Sequence, residues 1–129
     1  MKWFLSFFII LIVFSNTNDV LAQENVNYLE VIAKSIPEKY IKSTSNLFFT
    51  IQVGAYRNKN KSLENTKNII IAKEDNIDKY RLGEFSTYEE AVSFKTVVLS
   101  VCNDAFIVSI KNGKRIHISE ALKEQEDIF

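Results

Sequence analysis

The chain has 129 residues, and its 16 basic and 16 acidic side chains give a formal net charge of +0. This balance argues against a nucleic-acid partner, because phosphate binding relies on a surplus of Lys and Arg. Cys102 is the only cysteine, so an intrachain disulfide is impossible. An apolar core must therefore stabilise one small domain.

The first 22 residues follow the plan of a secretory signal peptide. Lys2 precedes a dozen apolar residues, Trp3 to Phe14, and Val20 and Ala22 are the small residues expected before a cleavage site. An uncleaved membrane anchor is the alternative, but a spanning helix needs about 20 apolar residues. We therefore expect export to the periplasm, cleavage after Ala22, and no stable membrane span afterwards. The leader contains one charge of each sign, so the mature chain stays neutral.

Residues 23–46 are expected to form an N-terminal helix and a linker. Apolar side chains recur there at helical spacing, at Tyr28, Leu29, Ile32 and Ile36. Pro37 then stops the helix. A terminal helix packed on the domain is the other interpretation, and the sequence leaves the choice open.

A strand is predicted at residues 47–56, which are rich in aromatic and β-branched side chains. Side chains alternate between the two faces of a strand. The fully apolar set of Phe49, Ile51 and Val53 belongs to the core, so Gln52 lies on the opposite face, where we expect it to be exposed. Gly54, inside the strand, indicates a bulge or a close backbone approach.

The remaining elements alternate strands with one clear helix. Ser86 and Glu89 have capping-box spacing and predict a helix that runs to about Val101. Other predicted elements are a helical turn at 62–65, strands at 68–73, 77–82, 105–110 and 115–118, turns at 74–76 and 112–113, and a short charged helix after Ser119. This order predicts an α+β sandwich with helix on one face of a mainly antiparallel sheet, whose other face stays free.

Catalytic and metal-binding patterns are missing from the sequence. His117 is the only histidine and alternates with Ile116 and Ile118, as an outward-facing strand residue does. Without a second His or Cys, no usual zinc ligand set can form. The chain has neither a Ser/His/Asp motif nor a glycine-rich phosphate loop. We therefore expect no enzyme, no metal and no cofactor.

Several segments together resemble the SPOR (sporulation-related repeat) domain. Residues 51–56, IQVGAY, are similar to its V-Q-x-G-S-F strand, and residues 80–91, YRLGEFSTYEEA, to its Y-R-V-x-x-G-P-F segment followed by S-x-x-E-A. Residues 104–108, DAFIV, look like its closing A-F-V-V strand. Residues 112–116 with Glu120 and Ala121 resemble an extension common in versions from Bacteroidetes bacteria. The resemblance covers about residues 48–122, so we divide the chain into a signal peptide (1–22), a helix and linker (23–46), a SPOR-like domain (47–122) and a charged tail (123–129).

The resemblance implies a ribonucleoprotein-like, or ferredoxin-like, sandwich. This chain departs from it by a shortened first helix, an extra C-terminal hairpin strand, Ala55 in place of Ser and Glu84 in place of Pro. The family binds peptidoglycan through the helix-free face of its sheet and prefers glycan strands stripped of their stem peptides.

The expected function is therefore non-catalytic binding of peptidoglycan glycan in the periplasm. The candidate ligand-binding residues are Gln52, Tyr56, Arg57, Tyr80 and Arg81. Gln52 would form hydrogen bonds with sugars, the two tyrosines would stack on them, and Arg57 would reach acetamido or lactyl oxygens. The alternative is a protein–protein interaction module of the cell envelope with a degenerate SPOR fold. It would use the same sheet face or an apolar helix stripe that includes Phe94, Val97 and Val101.

Overall fold

The computed structural model describes residues 28–58 and 60–128, so the predicted signal peptide and its cleavage site lie outside the described part. In chain order the elements are a helix at residues 28–34 (α1), a 3-10 helix at Glu38–Tyr40, β1 at Leu47–Tyr56, α2 at Lys61–Glu64, β2 at Ile69–Glu74, β3 at Ile77–Phe85, α3 at Tyr88–Val98, β4 at Phe106–Lys111, β5 at Lys114–Ile116 and α4 at Ile118–Ile128. All five strands form one antiparallel sheet in the order β2-β3-β1-β4-β5. The predicted α+β class and the bounds of β1 are confirmed.

Two irregularities bend the central pair of strands. Between the partners Gln52–Arg81 and Gly54–Tyr80, β1 has one extra residue; between Ile51–Leu82 and Phe49–Phe85, the extra residue is on β3. Gly83, in this second bulge, has φ +80, and a Cβ there would come within 2.4 Å of the Phe85 ring. Bulges increase the local twist and bend the strand. They help to curl the sheet, so that its two faces have different shapes.

Helices cover one face of the sheet and complete the apolar core. The ring of Phe49 on β1 contacts Tyr88 of α3 at a centroid distance of 5.7 Å, and Phe85 contacts Phe94 at 5.5 Å. Leu29, Ala33 and Ile36, from α1 and the turn after it, are buried in the same cluster. The choice that the sequence left open is thus resolved, because α1 packs on the domain.

The cap of α3 corrects the sequence prediction. The cap residue is Thr87, whose hydroxyl accepts a hydrogen bond from the Glu90 backbone N–H at 3.2 Å. Ser86 is exposed and lies one residue before the cap. The pattern of a hydroxyl residue followed three positions later by Glu occurs twice here, in Ser86–Glu89 and Thr87–Glu90. The helix also ends at Val98, earlier than expected.

The C-terminal helix α4 extends over residues that the sequence division places in a charged tail. It begins at Ile118, one residue before the expected cap, and continues to Ile128. Ala121 is fully buried in the core cluster, and Glu124 forms a 2.8 Å ion pair with Lys111 of β4. These two contacts fasten α4 to the domain.

Candidate functional site

The face of the sheet opposite α3 is concave, and we call it the concave face. Its floor includes Thr50 and Gln52 of β1, which pair with Val108 and Phe106 of β4. A cavity of about 290 Å³ lies on this face, and strands towards both edges of the sheet contribute to its lining. The lining residues are Phe48, Thr50, Ile70, Ala72, Lys73, Glu74, Arg81, Glu84, Ile110 and Gly113. Val108 and Ile110 are buried here but lie outside the core cluster that the helices complete. The concave face therefore buries apolar side chains separately from the main core.

A polar network crosses the floor of this face. Arg81 donates to both carboxylate oxygens of Glu74, from Nη1 at 3.1 Å and from Nη2 at 2.7 Å. Its Nε donates to Oε1 of Gln52 at 3.3 Å. Arg81 and Gln52 are only 4% and 5% exposed, so the pair of strands β1 and β3 holds two polar side chains almost completely out of water.

The side-chain amide N–H groups of Gln52 make no hydrogen bond within the described residues. Gln52 as a whole is 5% exposed, and no fully buried side-chain N or O atom in that part of the chain lacks a hydrogen-bond partner. An amide of this kind offers two donors. These two N–H groups are donors of the network that no described residue satisfies.

Glu74 is the only carboxylate in this network. The hydrogen bond from Arg81 lowers the pKa of Glu74 below its usual value, and the charges of Arg81, Lys79 and Arg115 act in the same direction, against an opposing effect of burial. Arg115 belongs to β5, at the opposite edge of the sheet from Glu74 on β2. Both edges meet at one cavity of about 750 Å³, whose lining includes Glu74 and Arg115.

The structure supports the predicted face of Gln52 but corrects its exposure. Gln52 lies opposite the helix-covered residues Ile51 and Val53, as strand alternation predicts, and pairs directly with Arg81. The expectation of an exposed side chain is wrong, because the curl of the sheet brings other strands over this face. Gln52 and Arg81 are the two predicted ligand-binding residues that the fold brings together on the concave face.

Tyr80 and Tyr56 lie on the other face. Tyr80 is fully buried, and its hydroxyl accepts a hydrogen bond from the Asn60 backbone N–H at 2.9 Å. The ring of Tyr56 packs on that of Tyr80 with centroids 5.6 Å apart, and it approaches Gly54 so closely that a Cβ there would be 2.7 Å from the ring. Stacking of Tyr80 on a sugar is therefore wrong as a prediction. The alternation of side chains already separates Tyr80 from its neighbour Arg81.

Arg57, the fifth candidate, is exposed just beyond the end of β1. It is part of neither the Gln52–Arg81 pair nor the Tyr56–Tyr80 pair.

The sequence analysis missed Glu74 because it placed this residue in a turn. The turn consists of Asp75 and Asn76 alone, which have φ of 54 and 63. Positive φ at both central positions is typical of a two-residue hairpin turn whose twist matches the strands. Glu74 consequently stays in β2, opposite Ile77, and its side chain reaches Arg81. In the sequence, Asn76 at the second turn position was the signal that could have indicated this two-residue turn.

Phe106 is an exposed aromatic side chain on the concave face. It pairs with Gln52 across β1 and β4 and is 42% exposed. The guanidinium carbon of Arg115 lies 6.0 Å from the centre of its ring. Its position opposite Gln52 requires the register of β4, which a single sequence does not provide.

The helix side of the domain has an apolar surface of its own. Val97 is 49% exposed, and with Tyr40 and Phe94 it lines a cavity of about 370 Å³. Val92 and Leu99 are also exposed, whereas Val101 is half-buried against the core. Of the predicted stripe, Val97 is thus the most accessible residue.

Over residues 28–58 and 60–128, no group of three or more His, Cys, Asp and Glu side chains could hold a metal ion. In the same part of the chain, no helix is long and apolar enough to cross a membrane. No family model matches the sequence, and neither a curated protein nor a solved structure resembles it significantly.

Proposed function

We propose that this chain is a non-catalytic, exported domain that binds the glycan strands of peptidoglycan on its concave face, as SPOR domains do. The observation behind this proposal is the network of Gln52, Arg81 and Glu74 on the floor of a helix-free face. Carboxylate, guanidinium and amide groups together can both accept from and donate to sugar hydroxyls. The exposed ring of Phe106 beside Gln52 supplies an apolar surface on which a sugar ring can pack.

The finer description of the fold belongs to this proposal. A ribonucleoprotein-like sandwich has its first and third strands at the centre of the sheet. The order β2-β3-β1-β4 is compatible with that arrangement, with α2 and α3 as the two crossover helices. On this view α2, with four residues, is the shortened first helix, and β5 is the added hairpin strand.

Co-sedimentation with peptidoglycan sacculi tests the proposal. The purified protein should pellet with sacculi that an amidase has stripped of stem peptides, and less with untreated sacculi. Phe106→Ala should weaken this binding several-fold, because it removes the exposed ring of the concave face. Val97→Ala is the matched control, since it truncates an exposed apolar residue on the helix side. Failure of the wild-type protein to pellet with either preparation would refute glycan binding.

A protein–protein interaction module of the cell envelope is the second candidate. The exposed Val97 and the cavity beside it favour this function, because an accessible apolar patch can dock a partner. For such a module the two variants should exchange roles: Val97→Ala would weaken capture of an envelope protein, and Phe106→Ala would leave it unchanged.

A further inference from the structure

The outer edge of β2 exposes two neighbouring isoleucines. Among the described residues, β2 pairs only with β3 and forms one border of the sheet. Ile70 is 40% exposed and Ile71 is 39% exposed. Neighbouring side chains of a strand point to opposite faces, so an open face would expose only one of the two. Their similar exposure indicates that what is missing is a strand beside β2, at the edge of the sheet.

The other border of the sheet is better protected against further pairing than β2. β5 consists of three residues, Lys114–Ile116, of which the first two are basic. Short, charged edge strands are a means by which natural proteins prevent pairing with another chain. β2 has six residues, Ile69–Glu74, without proline, and the first four are apolar. β2 is therefore the border that is better suited to accept an additional strand.

The hairpin between β2 and β3 determines which backbone groups of β2 are free. Its two-residue turn leaves Glu74 and Ile77 as the flanking pair, and the residues that flank such a turn exchange backbone hydrogen bonds. Hydrogen-bonded and non-hydrogen-bonded pairs alternate along an antiparallel ladder. The N–H and C=O groups of Ile71 and Lys73 consequently point away from β3. Within the described residues, no other backbone group pairs with them on that side.

We propose that two copies of this chain form a closed dimer through antiparallel pairing of their β2 strands, with Ile71 on the twofold axis. The free backbone groups restrict the register, because residues that point outward on one copy must face such residues on the other. Ile71 then faces Ile71 of the second copy, and Ile69 faces Lys73, whose aliphatic stem can cover it. On the concave face, Ile70 lies opposite Ala72. Both exposed isoleucines thus gain an apolar neighbour, as stabilising cross-strand pairs require.

The sequence of β2 favours a second copy of the same chain as the partner. In the register centred on Ile71 the apolar side chains face each other, whereas a shift by two residues would place Ile70 opposite Glu74 and Ile71 opposite Lys73. The pairing uses both free β2 edges at once, because a twofold axis makes the same patch contact itself. Only the short, charged β5 borders then remain, so the assembly stops at two copies. Formation of the dimer requires no ligand and is therefore independent of the proposed glycan binding.

Sedimentation equilibrium over a concentration series tests the pairing. Two paired edge strands bury less surface than the roughly 1,600 Å² of a standard complex, so we expect a dissociation constant on the order of 10 µM. A reducing agent is present, so that Cys102 cannot link two copies. The mass should rise from that of the monomer at about 1 µM towards twice that value at about 300 µM, and no further. A wild type that stays monomeric, or a mass that exceeds twice the monomer value, would overturn the closed dimer.

Two variants locate the interface. Ile71→Lys places like charges directly opposite each other on the axis and should remain monomeric over the whole series. Val97→Lys is the matched control, because it introduces the same charge at an exposed apolar residue of the helix side and should dimerise as the wild type does. Circular dichroism verifies that both variants fold. A dimer that survives Ile71→Lys, or that is lost in Val97→Lys alone, would overturn the pairing of β2.

Amide hydrogen exchange of the wild type tests the register and requires no variant. Exchange at Ile71 and Lys73 should be several-fold slower in a concentrated sample than in a dilute one, because only the dimer bonds these N–H groups. The N–H groups of Ile70 and Ala72 point to β3 and should be protected in both samples. A dimeric mass with unchanged exchange at Ile71 would overturn the proposal, even if Ile71→Lys fails to fold.

Discussion

Phe49 and Gln52 lie three residues apart on β1 and are buried to nearly the same extent, yet different parts of the molecule bury them. Phe49 is 0% exposed beneath α3 and belongs to the apolar core. Gln52 is 5% exposed on the concave face, where β3 and β4 flank it and Arg81 is its hydrogen-bond partner. Apolar burial stabilises the first face, whereas the second depends on satisfied polar groups. One strand thus serves stability on one side and, in our proposal, recognition on the other.

The largest loss of stability should come from a substitution on the helix-covered face. Phe49→Ala removes a fully buried ring that packs on Tyr88 and should destabilise the protein by about 3–5 kcal/mol. The same substitution at Phe106, which is 42% exposed, should cost only about 1–2 kcal/mol. Urea unfolding followed by circular dichroism measures both. Similar losses for the two variants would contradict the difference between the faces.

The next effect concerns the network of the concave face. Glu74→Gln leaves Arg81 buried without its charged partner and should cost about 2 kcal/mol. Glu124→Gln is the control, because it breaks the half-exposed ion pair with Lys111 and should cost less than about 1 kcal/mol. Chemical denaturation at neutral pH compares them. A loss at Glu74 no larger than that at Glu124 would mean that the network contributes little to stability.

The contribution of Glu74 to stability should depend on pH. Arg81 holds the pKa of Glu74 below its usual value of 4.5. A depressed pKa in the folded state stabilises the protein above the unfolded pKa, and this contribution is lost as the pH falls through the folded pKa. The wild type should therefore lose more stability below about pH 4.5 than Glu74→Gln does. Melting temperatures of the two proteins from pH 7 to pH 3 test this, and parallel curves would contradict it.

The smallest predicted effect distinguishes the two possible caps of α3. Thr87→Ala removes the hydroxyl that accepts from the Glu90 N–H and should cost about 1 kcal/mol. Ser86→Ala changes an exposed residue outside the cap and should stay within about 0.5 kcal/mol of the wild type. Thermal unfolding of both variants provides the comparison. A larger loss of stability for Ser86→Ala than for Thr87→Ala would indicate that Ser86 is the cap and that the helix begins one residue earlier.

Local patterns in the sequence were sufficient for β1 and for the break after α1, but not for the cap of α3 or the bounds of α4. Alternation over residues 47–56 gave the strand and the two faces of β1, and Pro37 marked the break after α1. These features depend on neighbouring residues along the chain.

The candidate site was harder to predict because it depends on the curl of the sheet. The burial of Gln52 and the meeting of Arg115 and Glu74 at one cavity involve strands that are distant in the sequence. Tyr80 is different, since its position next to Arg81 already assigned it to the other face. The prediction for Tyr80 was wrong because it placed both residues of the Tyr80-Arg81 motif on one surface.

Side-chain NMR signals provide the most direct test that the concave face, and not the helix side, binds glycan. Denuded glycan oligomers are added to isotope-labelled protein, and the Nε2 amide of Gln52, the Nε–H of Arg81 and the methyl groups of Val97 are followed. We predict that the Gln52 and Arg81 signals shift in a saturable manner while the Val97 methyl signals stay in place. Saturable shifts of Val97 with unchanged Gln52 and Arg81 signals would contradict the proposal.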